Sequence, residues 1–271
     1  MSVAGAANAE VVLNDWVFNP AGTGFANGQT INEYLDVNGN AFIQISPTGG
    51  TSFSFTEHAV FNISQADGNG SLFPLTYKGG NITATFEASG TGNFSGAFSF
   101  TGGTIRMYQN TVDGQYGKTM GLYGADLGNQ IAEFTLLAGG GGNVDASGSP
   151  TNNGQISVRA QAAAGALDAG YFFRKNGDDL SLEPILAFAF TNANTVGKPN
   201  ARLVSEVACQ YAHFTGAGCG TGTYANTSTH FFVGNNGQFK LAEVPEPGSL
   251  ALFGIAMLGA GAVSRKRARK A

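Results

Sequence analysis

The sequence predicts an all-β fold: an antiparallel β-sandwich body followed by a single short transmembrane helix near the C-terminus. Three observations predict it. Apolar and polar residues alternate with a period of two in segment after segment, the pattern of strands that bury one face. Turn-forming clusters such as NGN, DGNG, KGGN and GNNG bound those segments. The composition, with 41 Gly, 21 Phe and only 12% charged residues, suits pleated packing and tight turns better than helices. With 42% hydrophobic residues, a chain of 271 has enough apolar material for a substantial core.

The alternation runs through "AFIQISP" (41–47), "TSFSFTEHAVFNIS" (51–64), "NITATFEAS" (81–89) and "FSGAFSFTGGTIRMY" (94–108). It returns in "GQISVRAQ" (154–161) and "THFFVGNNGQFKLAEV" (229–244). In the last segment, Phe231 and Val233 answer Phe239 and Leu241 across Asn235-Asn236-Gly237, which reads as a hairpin. Ala138 to Gly154 is Gly-rich and reads as a surface loop within one sandwich rather than a linker between domains. "ARLVSEVACQYAHF" (201–214) places Leu203, Val207 and Tyr211 at helical spacing, yet Val204-Ser205-Glu206-Val207 also suits a strand, and strand is the preferred reading. The tetrapeptide FSFT occurs at Phe53–Thr56 and again at Phe98–Thr101; two copies are the shared grammar of neighbouring strands and no repeat array.

Both ends speak about export. Residues 1–9 end in Ala7-Asn8-Ala9, the small-x-small form of a signal-peptidase site, and read as the remnant of a signal peptide. The body then covers 10–243. Residues 244–271 hold three parts in order: Pro245-Glu246-Pro247, an apolar run from Leu250 to Val263, and a basic tail of Arg265, Lys266, Arg267, Arg269 and Lys270. At ~1.5 Å per residue the run extends about 21 Å as a helix, against a hydrocarbon core of roughly 30 Å, so it spans marginally. The basic tail holds the cytoplasmic side.

This order, with its literal VPEP, resembles the PEP-CTERM sorting signal of Gram-negative, biofilm-forming bacteria. The resemblance implies transient inner-membrane insertion. It also implies that an exosortase recognises Pro245, Glu246 and Pro247, removes the helix, and releases the body toward the cell surface or extracellular matrix.

Export bears on the cysteines. Cys209 and Cys219 enclose "QYAHFTGAG" and read as an intraloop disulfide, with a zinc pair completed by His213 as the alternative. Charge narrows the partners. Five of the fourteen basic residues lie in the last seven positions, which leaves nine basic against eighteen acidic residues elsewhere, a balance of −9. Nucleic acid, whose phosphates demand clustered Lys and Arg, is excluded as a partner.

Catalytic chemistry is thin. His58, His213 and His230 read as ordinary strand or loop residues, and HExxH, GxSxG and CxxC are absent. Glu57, Glu87, Glu133, Asp178, Asp179 and Glu183 are candidates for a glycosidase pair, but nothing in the sequence pairs any two of them. "DVNGN" (36–40) and "DGNG" (67–70) space oxygen ligands as a calcium loop does, yet Ala41 and Pro47 stand where an EF-hand loop needs Gly and Glu. Both therefore read as turns, and the sequence nominates no catalytic, cofactor-binding or metal residue. What remains is a surface rich in hydroxyls and amides, suited to polysaccharide or to strand-edge association between copies.

"WVFNPAGTGF" (16–25), "GGTIRMYQN" (102–110) and "DAGYFFRKNGDDLS" (168–181) resemble the flocculation-associated group of PEP-CTERM proteins. That resemblance implies a role in cell aggregation and carries no active site. The expectation is a non-enzymatic, exported matrix protein that binds exopolysaccharide or self-associates. The alternatives are a secreted hydrolase acting on matrix polysaccharide and a structural fibre subunit.

Overall fold

The alternating segments become long antiparallel strands in the computed structural model, which describes residues 11–75, 77, 80–151 and 154–244. Val12–Glu243 forms one unit; the other, Met1–Val11 with Val244–Ala271, contributes only Val11 and Val244 to the described residues. The short strands β1 (Val11–Val12), β2 (Trp16–Phe18) and β3 (Gln29–Ile31) precede the long β4 (Tyr34–Gly49) and β5 (Ser52–Asp67). After β6 (Leu72–Pro74) come β7 (Asn81–Asn93), β8 (Ala97–Asn110), β9 (Asn129–Leu136), β10 (Gly139–Asn143) and β11 (Gln155–Ala162). The chain closes with β12 (Phe172–Phe173), β13 (Ile185–Thr195) and β14 (His230–Glu243).

The pairing is a ring. From β4 it passes through β5, β7 and β8, crosses β9 and β10 to β11, and continues through β13 to β14, which pairs with β4 again. The body is thus a closed antiparallel barrel, where the sequence predicts a sandwich. Alternation cannot tell the two apart, because both bury every second residue; only the β14–β4 register decides it.

Inward residues fill the bore: Val37 and Ile43 from β4, Phe55 from β5, Phe86 from β7, Phe100 from β8, Val158 from β11. At one end, the three-stranded sheet β12-β2-β3 adds Trp16, Phe18, Ile31 and Phe172 to the same core. Trp16 stacks on Phe172 with ring centroids 6.4 Å apart. Two of the motifs that resemble the flocculation group therefore meet, as Phe18 and Val17 pair with Phe172 and Phe173.

Four local readings are corrected. Asn235-Asn236-Gly237 is no hairpin turn, because β14 runs straight through it, paired with β13 on one side and β4 on the other. Phe231, Val233, Phe239 and Leu241 share one face of a single strand, which satisfies the same alternation without a reversal. Asn38-Gly39-Asn40 likewise lies inside β4.

The Gly-rich stretch is partly strand. β10 bridges β8 and β11, and its glycines are needed there: a Cβ on Gly141 would lie 2.0 Å from the Phe98 carbonyl oxygen, and Gly140 and Gly141 both hold positive φ. A turn around Asp145 follows, where its carboxylate accepts from the amides of Ser147 and Ser149.

Residues 201–211 are helical rather than extended. Asn200 caps α1 (Ala201–Leu203) by accepting from the Leu203 amide at 2.8 Å, and the helix runs on as a π-helix over Val204–Tyr211. Leu203, Val204, Val207 and Ala208 pack on Phe42 and Phe232, outward residues of β4 and β14. Helical spacing matches that apolar patch, and the tertiary contact overrides the β-branched residues.

Candidate functional site

The outer wall of the barrel divides in two. Where the helix covers it, the outward residues Phe42, Val60 and Phe232 are apolar and buried. One step along the same strands, at Asn40 and Gly234, the wall is only half-buried and amides begin.

Outward positions of four neighbouring strands fall into rows because the registers of β4, β14, β13 and β11 coincide. One row reads Asn38, Asn236, Asn192, Gln155, and the next Asp36, Gln238, Phe190, Ser157. A third reads Tyr34, Lys240, Phe188, Arg159. All four amides of the first row are exposed to solvent.

The first row is laced to its neighbours. Asn236 Nδ2 donates to Asn38 Oδ1 at 2.7 Å, and Asn38 Nδ2 donates to Asp36 Oδ2 at 3.2 Å. Asp36 is mostly buried, and that burial raises its carboxyl above the ordinary value. Lys240 lies 5.7 Å from the Tyr34 ring centre and 5.9 Å from that of Phe190, with its charge answered by Glu33 at 2.5 Å. Phe190 stays 49% exposed, so the aromatic edge of the band presents a ring to solvent.

Two confluent depressions of about 660 and 460 Å³ lie over this wall and share Asn192 and Asn236. The larger is bordered by Tyr34, Leu72 and Phe190, the smaller by Tyr116 and Val196.

The bore holds a different feature. Glu57 points inward on β5 and lines an apolar cavity of about 60 Å³ together with Asn235, whose Oδ1 has no hydrogen-bond partner among the described residues. Burial pushes the Glu57 carboxyl up to about 7.

The sequence-derived candidates fall elsewhere. Glu87, on the strand beside Glu57, pairs in register with His58 and lies on the outside of the wall, so the barrel separates these two carboxylates. Glu133 pairs with Arg106 at 2.9 Å, and Glu183 with Arg174 at 2.7 Å. Asp178 accepts from Asn176 Nδ2, and Asp179 accepts from the amides of Gly170 and Ser181. His58 lies against the Tyr211 ring at 4.8 Å and His230 against Phe214 at 4.7 Å; burial lowers the pKa of both. Cys209 and Cys219 form a disulfide, which removes the zinc-pair alternative. Pro245, Glu246, Pro247, the apolar run and the basic tail lie outside the described residues, as do residues 1–9. Among the described residues no helix is long and apolar enough to cross a membrane.

Sequence reasoning missed the amide band. Its signal was present as alternating Asn at 38 and 40, 192 and 194, and 236, but NGN and GNNG were read as turns.

Fold and surface together define a closed antiparallel β-barrel with a charge-poor amide face. Residues 243–267 match the PEP-CTERM protein-sorting motif, which makes the chain an exported surface protein sorted by exosortase. No curated protein and no solved structure matches the chain.

Proposed function

We propose that this protein is a non-enzymatic matrix component of a Gram-negative cell surface. It promotes aggregation, flocculation and biofilm formation by holding exopolysaccharide on the outer amide face of the barrel. The observation that carries the reading is the row of four exposed amides, aligned across four strands on a chain that bears a sorting signal. Amides donate and accept, as sugar hydroxyls do, and weak contacts become strong when many copies engage one polymer. Two features favour polysaccharide binding over the other readings. Ring closure leaves the long strands without free edges, which disfavours strand-edge self-association. Glu133, Asp178, Asp179 and Glu183 are held by structural partners and Glu57 is separated from Glu87 by the wall, which disfavours hydrolysis.

Delivery rests on the C-terminal signal: the apolar run of 250–263 inserts as a short transmembrane helix and exosortase cleaves near Pro245-Glu246-Pro247. Deleting the gene should leave cells planktonic, and restoring it should restore flocs. Normal flocs in the deletion strain would overturn the role. Replacing Pro245, Glu246 and Pro247 by Ala should hold the full-length chain in the inner membrane and fail to restore aggregation.

A further inference from the structure

The proposed role leaves open which glycan the wall takes and how the chain lies on it. Asn is depleted from strands, because it packs poorly on a pleated surface and competes for backbone hydrogen bonds. Here Asn38, Asn236 and Asn192 occupy the middle of three adjacent strands, with Gln155 at the start of a fourth. Local preference is overruled at three adjacent positions that lie outside the core, which is the pattern expected of a surface kept for recognition.

The geometry is periodic. Neighbouring strands lie about 4.8 Å apart, so the backbone positions of the row repeat at that interval over about 14 Å of the wall. This interval is close to the advance of one sugar along an extended pyranose chain. A polymer laid across the strands would therefore meet one amide per sugar. Laid along β13 instead, it would meet Asn192 and then Phe190 and Phe188, and lose the repeat.

Charge selects among polymers. Besides the amides, the two rows nearest the band contain one carboxylate, Asp36, and no cation. The third row holds two cations, Lys240, which is ion-paired to Glu33, and Arg159, whose guanidinium lies 5.9 Å from the Phe188 ring centre. Outside the C-terminal basic cluster, acidic residues outnumber basic ones eighteen to nine, so a polyuronate approaches against the field of the protein. The exposed ring of Phe190 offers a platform for the carbon-rich face of a sugar in the adjoining row.

We infer that the row Asn38, Asn236, Asn192, Gln155 is a four-site binding track for an uncharged, extended pyranose chain that crosses the strands with one sugar per strand. This rests on the polysaccharide-binding reading above and adds ligand class, direction and length.

The test is titration calorimetry of the exported protein with neutral β-1,4- and β-1,3-linked oligomers of two to six sugars, beside a polyuronate and the cells' own exopolysaccharide. Affinity should climb to four sugars and then level, and the polyuronate should bind more weakly. Asn192→Ala and Asn236→Ala should each weaken the tetramer roughly three- to tenfold, the size of one or two neutral hydrogen bonds, with melting unchanged. Three results would overturn the track while leaving the broader role standing, provided that exopolysaccharide still binds: no levelling at four, row variants that bind like wild type, or preference for the polyuronate. Failure of both the oligomers and the exopolysaccharide to bind would remove the broader role as well.

Discussion

The inner and outer faces of β4, β14 and β13 are built from the same strands and obey different rules. Inward, Val37, Ala41, Val233, Phe239 and Ala187 are buried in one continuous core, and each is constrained by its neighbours. Outward, Asn38, Asn236 and Asn192 face solvent and no packing demands them. Packing explains each of the inward residues and none of the three outward amides.

The largest loss of stability should come from the bore. Phe100→Ala should cost about 3–5 kcal/mol of stability in chemical denaturation, because Phe100 is almost fully buried among aromatic neighbours. A loss no larger than that of an outer variant would undo the distinction between the faces.

Glu57 is the exception within the bore, a carboxyl among apolar side chains. Its folded pKa of about 7 lies above the ordinary 4.5, so between those values the folded state binds the proton more tightly than the unfolded chain. Its contribution is therefore most favourable below about 4.5, declines as pH rises to about 7, and levels above that. Glu57→Gln should remove this slope and gain about 3 kcal/mol over wild type at pH 8 relative to pH 4, read from denaturation at the two pH values. Identical slopes in both proteins would place the titration elsewhere.

Cys209→Ser with Cys219→Ser should cost about 2–3 kcal/mol, since the disulfide closes a loop of sequence separation 10 beside the helix that covers Phe42 and Phe232. The effect should appear as lower thermal stability. The smallest effect belongs to the amide band: Asn192→Ala should change stability by no more than about 0.5 kcal/mol. A larger loss would mean that the row is structural.

Much of the barrel was legible in advance. The alternation in 51–64, 81–89 and 154–161 matches the apolar inward residues, because a strand's period of two needs no knowledge of its partner, with Glu57 as the inward residue it does not give. The helix at 201–211 was misread because Val204 and Val207 fit either state until Phe42 and Phe232 supply an apolar patch. The site was illegible for a sharper reason. Asn and Gly in NGN and GNNG carry the same letters in a turn as in a strand, and it is pairing on both sides, of Asn38 with Asn62 and Asn236 and of Asn236 with Asn38 and Asn192, that holds both segments extended.

By itself the sequence determined that the chain is β-rich, that Phe231, Val233, Phe239 and Leu241 share a face, and that the chain carries an export address. These are properties of one segment at a time, set by side-chain period or by a contiguous motif. Tertiary structure alone decided that the sheet closes, that Glu57 lies inside it, and that four amides line up outside. Each of those depends on the register between strands far apart in sequence, and register is a relation that no single segment contains.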